Sequence, residues 1–264
     1  VTLSGGNAVG GVVTPLVVSS SNANITFMGT ISGGVGSKTN KRSLTVDAGT
    51  GTVHFNDQIG NATYTGDQNI YQLTVKGGRI EILADITTFE TQTYDGPVWV
   101  GDNGTNGAIR TLLSEDPSVT FLSTIDDMVK NTHSLNVFAV AYTQTSSRPA
   151  VTFSADVGKT QALLSLEALT GIQDPNSQFS KIIVDPTNFI GTITINGGVT
   201  TNGNQVFTAQ NFSFGSSGGT ANQINFTTNG GNVTFNVGTA PPAFVVSSPG
   251  LSAVFTMNGG NLNN

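Results

Sequence analysis

One three-residue pattern recurs along the chain: an aliphatic residue, a small polar residue and phenylalanine, usually followed by a turn. In an extended strand successive side chains point to opposite faces, so the aliphatic residue and the phenylalanine share one face. A repeated apolar face predicts a solenoid, because stacked units bury a ladder that no single unit can bury alone. The copies lie at residues 25–27, 53–55, 119–121, 151–153, 224–226 and 233–235.

Two further repeats support this interpretation. Residues 78–94 align with residues 191–207 without a gap, and each block ends in Gln, one residue and an aromatic ring. A leucine strand recurs at residues 44–46, 73–75 and 135–137. Short strands between Gly/Asn/Ser turns also occur in sandwiches and propellers. The irregular spacing and the similar turns favour an all-β fold, a right-handed parallel β-helix.

A rung of about 20–30 residues would give roughly ten rungs and a rod of about 50 Å. We predict one solenoid over residues 1–264, less regular over about 123–190. The charged segment 126–133 departs from the repeat, and we expect it to be a loop extruded from the rod. Residues 161–169 have apolar residues at helical spacing, but we favour a strand at 164–166, because a leucine strand also follows a phenylalanine unit elsewhere.

The composition excludes several classes of function. Charged residues make up 10% of the chain, and the six Lys and four Arg are spread along it at a net charge of −6, so nucleic-acid binding is not expected. No apolar run approaches the roughly 18 residues of a membrane span. Cysteine is absent, which excludes disulfides, zinc–thiolate sites and thiol catalysis. The chain opens at Val1 without Met, and we interpret it as processed or as a fragment.

Residues 43–55 resemble the repeats of large secreted bacterial adhesins of the filamentous-hemagglutinin type, as do residues 91–97 and 231–235. The resemblance covers about residues 24–235 and is one of repeat texture. It implies a long right-handed β-helix at the cell surface with a role in adhesion, biofilm or contact-dependent processes. The family has no shared catalytic motif, so it implies neither an enzyme nor a cofactor.

Catalysis on a β-helix usually means polysaccharide cleavage, which needs clustered carboxylates and often a basic side chain. The adjacent pairs are Glu115–Asp116 and Asp126–Asp127. Adjacent strand residues face opposite ways, so we favour solvated loop acids over a catalytic pair. The four arginines are far apart in sequence, and no nucleophile elbow or phosphate loop is present. They are Arg42, Arg79, Arg110 and Arg148.

Metal binding has one weak candidate. The glycine-containing run at residues 101–107 offers oxygen ligands for calcium from Asp102, Asn103 and Asn106. It lacks the later acidic residue of an EF-hand, so a plain turn is the favoured interpretation. His54 and His133 are isolated in sequence, and His54 falls on the outward side of a strand.

Aromatic residues on a flat Thr/Asn-rich face can stack on sugars. Trp99 and Tyr94 flank a turn at residues 95–97, and Tyr64 and Tyr142 are further candidates for exposure. For Trp99, between two valines, packing in the core or at its rim is the favoured alternative. A stripe of surface residues containing Trp99 would indicate a glycan-binding module.

The leading hypothesis is therefore a structural or adhesive extracellular rod. It would be part of a longer adhesin, or a filament subunit that joins its own copies end to end or by strand donation. Surface glycans are possible partners, and no metal, cofactor or catalytic residue is predicted. The alternative is a carbohydrate-active β-helix, either a polysaccharide lyase or a phage-tail depolymerase.

Overall fold

The computed structural model describes residues 15–33, 42–60, 69–104, 108–115, 117–141, 148–172, 191–215 and 223–237, and the strands at 243–246, 252–258 and 262–263. Within these ranges the chain forms strands and turns and no helix, and every strand pair is parallel. The chain passes from one sheet to a second and a third before returning to the first, one coil further along. This is the predicted parallel β-helix. Its right-handed sense remains an expectation, which agrees with the general rule for crossovers between parallel strands.

The first face is a nine-stranded sheet with one strand from each coil, so the described residues make nine coils rather than roughly ten. At about 4.8 Å per coil the rod is roughly 40 Å long. In spatial order the strands are β1 (Leu16–Ser19), β3 (Leu44–Asp47), β5 (Leu73–Lys76), β8 (Gln92–Asp95), β11 (Ser118–Phe121), β14 (Ala150–Phe153), β16 (Thr192–Ile195), β19 (Asn211–Phe214) and β22 (Ala243–Val246).

The second face has two sheets joined at Val157, which bridges to Ile125 on one side and to Val199 on the other. The five-stranded sheet contains β2 (Ile25–Phe27), β4 (Thr52–Phe55), β6 (Arg79–Ile82), β9 (Val98–Val100) and β12 (Ile125–Asp127). The three-stranded sheet contains β17 (Val199–Thr201), β20 (Gln223–Asn229) and β23 (Ser252–Asn258).

The third face is a seven-stranded sheet, which single bridges from Ile31 to Ile59 and from Ile59 to Ile86 extend into the first two coils. Its strands are β7 (Ile86–Thr88), β10 (Ile109–Ser114), β13 (Ser134–Ala141), β15 (Leu166–Ile172), β18 (Gln205–Ala209), β21 (Val233–Val237) and β24 (Leu262–Asn263).

The phenylalanine units form strands whose aliphatic and aromatic side chains point inward, as predicted. Phe121 is fully buried and stacks on Tyr94, with ring centroids 5.1 Å apart, and on Phe153, 5.6 Å apart. The units do not recur in one position of the coil, because they lie on all three faces: Phe27 on the second, Phe121 on the first and Phe235 on the third. Alternation determines which side chains point inward, but it does not choose among three equivalent faces.

The two aligned blocks also lie on different faces. Residues 78–94 run through β6, β7 and β8, which belong to the second, third and first faces. Residues 191–207 run through β16, β17 and β18, which belong to the first, second and third faces. The repeating unit of this chain is therefore a strand–corner–strand segment that fits any corner of the coil.

In both blocks a buried glutamine at a corner donates a hydrogen bond to a backbone carbonyl of the next coil. Gln92 Nε2 donates to Leu113 O at 2.8 Å, and Gln205 Nε2 donates to Thr227 O, also at 2.8 Å. The copies differ two residues later. Tyr94 Oη donates to Gln92 Oε1 at 2.8 Å, whereas the second block has phenylalanine there and the buried Gln205 Oε1 has no hydrogen-bond partner.

This difference predicts opposite effects of adding and removing one hydroxyl. Phe207→Tyr should raise the free energy of unfolding by about 1 kcal/mol, because its hydroxyl can donate to Gln205 Oε1. Tyr94→Phe should lower it by about 1–2 kcal/mol, because a buried acceptor loses its donor. Urea unfolding midpoints at constant m-value measure both changes. The control is Phe153→Tyr, because the residue two positions before Phe153 is Val151, which offers no side-chain acceptor where the two blocks have glutamine. Equal destabilisation by both tyrosines would contradict the prediction.

The charged segment in the middle of the chain differs from the expectation. Residues 126–133 are not extruded, because Asp126 and Asp127 lie in β12 and His133 is buried next to β13. Only the turn between them is exposed, with Val129 59% exposed. A strand forms here and no helix, but it spans Leu166–Ile172 rather than residues 164–166, and it belongs to the third face rather than to the first face with Leu73. Residues 142–147 and 173–190 of the segment predicted to be irregular lie outside the described residues.

Candidate functional site

A row of outward-facing side chains crosses the five-stranded sheet, one from each of its strands. Because Val98 and Val100 are buried on the inner side of β9, Trp99 between them points outward. Trp99 pairs in register with Glu81 on one side and with Asp126 on the other. With Arg79, which also belongs to β6, this row is called the Trp99 strip: Thr26, His54, Arg79, Glu81, Trp99 and Asp126.

The favoured sequence interpretation, that Trp99 packs in the core or at its rim, thus holds only in part. Trp99 is half-buried, yet it points away from the core and belongs to a surface stripe. Tyr94, the neighbouring aromatic candidate for exposure, is fully buried, and burial raises the pKa of its hydroxyl well above the ordinary value. Tyr64 and Tyr142 lie outside the described residues.

Glu81 organises the centre of the strip. It is 9% exposed, and its two carboxylate oxygens contact different partners: Oε2 lies 2.6 Å from His54 Nδ1, and Oε1 lies 2.6 Å from Arg79 Nε. The Arg79 contact is a close ion pair that lacks the geometry of a hydrogen bond from Nε–H. The Arg79 guanidinium lies over the indole ring of Trp99, with its carbon 4.2 Å from the ring centroid, a cation–π arrangement.

These contacts leave several polar groups of the strip available to a ligand. A carboxylate only accepts, so His54 Nδ1 donates to Glu81, and the outer nitrogen Nε2 is an acceptor whenever the ring is neutral. Among the described residues no hydrogen bond is made by His54 Nε2, by the Trp99 indole N–H or by the terminal nitrogens of Arg79. The strip therefore presents donors, one acceptor and part of an aromatic surface to solvent.

A turn of the next coil closes the strip beyond Trp99. Asp126 Oδ1 accepts hydrogen bonds from Thr160 N at 2.8 Å and Gln161 N at 2.9 Å, so its carboxylate lies under residues 158–161. Gly158 makes this turn with φ of +68°, and a side chain there would collide with the carbonyl oxygen of Thr200. Asp126 is 3% exposed and holds this turn in place.

A second polar cluster lies at the corner between the second and third faces. Asp127 is fully buried, and its Oδ2 accepts from Thr132 N at 2.8 Å and His133 N at 2.9 Å. Its Oδ1 accepts from Val129 N at 3.0 Å and from His133 Nδ1 at 2.6 Å. His133 Nε2 contacts Asp102 Oδ2 at 2.7 Å, so both ring nitrogens donate to carboxylates.

Arg110 brings a buried positive charge to this corner. It is 1% exposed because it lies on the inner side of β10, and its charge acts on Asp85 and Asp102. Burial raises the pKa of Asp85, although the hydrogen bond from Thr111 N opposes this shift. Burial also lowers the pKa of Arg110. Five charged or titratable residues thus meet at this corner, which is called the charged corner: Asp85, Asp102, Arg110, Asp127 and His133.

The calcium candidates take part in these contacts. Asp102 Oδ1 accepts from Gly104 N at 2.6 Å, and its Oδ2 contacts His133. Asn103 uses its side-chain nitrogen to donate to Asn56 O at 2.6 Å, and Asn106 lies outside the described residues. Within the described ranges, no three His, Asp or Glu side chains are grouped in a way that could hold a metal ion.

The acids considered for catalysis do not meet at one site. Asp126 is in the Trp99 strip and Asp127 is at the charged corner, so the two adjacent carboxylates have separate partners. Glu115 is fully buried and accepts from Asn69 Nδ2 at 2.8 Å, and Asp116 lies outside the described residues. The expectation of solvated loop acids was therefore wrong for Glu115, Asp126 and Asp127, all of which are buried.

Asp102 predicts a dependence of stability on pH. The hydrogen bond from His133 lowers the pKa of Asp102, with further help from Gly104 N. Its contribution to stability is therefore present above the ordinary aspartate pKa of about 3.9 and is lost as the pH falls through the lower pKa of the folded state. Wild type and Asp102→Asn should differ in urea midpoint near neutral pH and converge as the pH falls below the lowered pKa of Asp102 in the folded state.

The matched control for this titration is Asp95→Asn, on an exposed position of β8. Its urea midpoint should follow that of the wild type throughout the titration. A constant difference between Asp102→Asn and wild type down to the lowest pH would contradict the role of the Asp102 charge.

The comparisons with known proteins give no relative: the chain matches no protein-family model, no curated protein and no solved structure. Among the described residues no helix has the length and apolar character of a membrane span.

Proposed function

We propose that this chain is a rod segment of an extracellular surface protein with a structural and adhesive role. The observation that carries the proposal is the continuity of the stacking. The first face runs through nine coils without interruption, and backbone bonds such as Leu44 N to Gln72 O, 2.8 Å, join each coil to the next. Such stacking extends in one dimension and displays its outer faces at regular intervals along the rod.

The surface chemistry supports an adhesive rather than a catalytic role. The acids that could have formed a catalytic pair are buried, and each holds backbone amides or a polar side chain in place. The Trp99 strip, by contrast, is partly exposed and combines an aromatic ring with available hydrogen-bonding groups. Its partners would be surface glycans, and the rod would continue either into a longer parent chain of the filamentous-hemagglutinin type or into further copies of itself.

Immunogold electron microscopy of the source cells, with antibodies raised against the purified chain, tests this location. Gold particles on the outer surface, or on fibres that leave it, are the expected result. Labelling confined to the cell interior would contradict the proposal.

A cleavage assay tests the catalytic alternative. The purified chain would be incubated with a panel of neutral and acidic polysaccharides, and new reducing ends and unsaturated products would be measured. We expect neither. Turnover that is lost in the Asp126→Asn variant would replace the adhesive assignment with a carbohydrate-active one.

A further inference from the structure

We propose that the Trp99 strip is a binding site for a neutral oligosaccharide, with Trp99, Arg79 and His54 as its contact residues. The inference rests on the adhesive role proposed above and names the ligand class. It depends on the juxtaposition of a half-buried indole ring, an arginine stacked on it and an imidazole whose outer nitrogen is available.

The hydrogen-bonding groups of the strip match those of a sugar. Each hydroxyl of a pyranose both donates and accepts, so a complementary surface needs donors and acceptors close together. The Trp99 N–H and the terminal nitrogens of Arg79 are donors, and His54 Nε2 of the neutral ring is an acceptor. A pyranose also has C–H groups on its ring faces, which can pack on the part of the indole that Arg79 does not cover.

The charges favour a neutral ligand over an acidic one. The Arg79 charge is compensated by Glu81 Oε1 at 2.6 Å, and the whole chain carries a net charge of −6. A polyanionic glycan would therefore meet little uncompensated positive charge at the strip and general repulsion from the chain.

The spacing of the coils fits an extended chain of sugars. Adjacent coils are about 4.8 Å apart, which is close to the length of one pyranose unit.

Glu81 is a positioning residue in this site. It is almost fully buried, and it holds His54 and Arg79 in place through its two oxygens. Without this carboxylate, Arg79 would lose the ion pair that directs its guanidinium over the ring. We therefore expect Glu81→Gln to weaken binding, although Glu81 itself does not contact the sugar.

The chain contains one tryptophan, so tryptophan fluorescence, excited selectively over the four tyrosines, reports on this strip alone. The full chain would be titrated with cellohexaose, chitohexaose and mannohexaose up to about 10 mM, with heparin hexasaccharide as the acidic comparison. The expected result is a saturable change in fluorescence with at least one neutral hexasaccharide and none with the acidic one. Isothermal titration calorimetry would then give the affinities of the variants.

The variants separate stacking from hydrogen bonding. Trp99→Ala should weaken binding at least about tenfold, and Trp99→Phe, which keeps a ring but loses the N–H, should have a smaller effect. Arg79→Gln should weaken binding as well. The matched control is Thr152→Val on the outer side of β14, on a different face, which should bind like wild type. Circular dichroism establishes that each variant keeps its β-structure.

Three outcomes would overturn the inference: no response to any neutral probe, equal binding by Trp99→Ala and wild type, or tighter binding of the acidic hexasaccharide. The first two would leave the rod assignment intact, because that assignment depends on cell-surface labelling and not on the strip. Interior labelling together with sugar binding would instead reject the rod and keep the binding site.

Discussion

Replacing Asp127 with alanine is expected to lower the free energy of unfolding by about 3–5 kcal/mol, because it leaves three backbone amides and a buried histidine without their acceptor. The amides belong to Val129, Thr132 and His133, and the carboxylate that binds them is fully buried. Asparagine is not a substitute. Its amide group would direct a nitrogen at donors that now contact an oxygen, so Asp127→Asn should also be strongly destabilised.

Urea denaturation measures this loss, and amide hydrogen exchange locates it. Protection should fall first at the three amides that Asp127 binds. Asp95→Ala is the matched control, since it removes an exposed aspartate from β8 and should change stability by less than about 0.5 kcal/mol. If Asp127→Ala lost no more stability than this control, the charged corner would not stabilise the fold.

The second large effect is expected at Phe121. This ring is fully buried between Tyr94 and Phe153, nearly parallel to both, with interplanar angles of 13° and 4°. Phe121→Ala should cost about 3–5 kcal/mol, because it removes the buried ring and leaves a cavity in the middle of a stack. Phe121→Leu refills part of the volume and should cost less than half as much.

The site of this loss matters as much as its size. Each coil interacts mainly with its two neighbours, so a cavity in the fifth coil weakens the junction between the two halves of the rod. We expect hydrogen-exchange protection to fall most in β8, β11 and β14. The control is Leu122→Ala, one residue further on and 50% exposed, which should be nearly neutral. A uniform loss of protection over all coils would contradict this local behaviour.

The sequence predicts the interior well because side-chain alternation is a local property. Phe121 and Val119 share a face in any strand, and the structure buries both. The face on which each strand lies does not follow from alternation. It depends on the number of residues in each corner and coil, and coils of unequal length shift a unit from one face to another. The two aligned blocks show this, since identical spacing places Gln92 and Gln205 at different corners.

The candidate site was harder to predict for the same reason. His54, Glu81 and Trp99 come together only through the register of three successive coils. Only one local feature of the sequence pointed to the pairing of Arg79 with Glu81. The two residues flank Ile80, so their side chains share the outer face of the strand. Nothing local indicated that Asp127 and His133 pair within one turn, or that Arg110 is buried on the inner side of β10.

The orientation of the strands determines how this rod would respond to mechanical load. Strands that lie across the long axis bond only to the coils before and after them, so a pull on one end of the chain peels the end coil first, because only one neighbour holds it. The coils would detach one at a time, and the coil from Ser118 to the start of β14 at Ala150 would release roughly 110 Å of extended chain when its layer is lost. Such a rod lengthens stepwise under tension, as an extensible tether does.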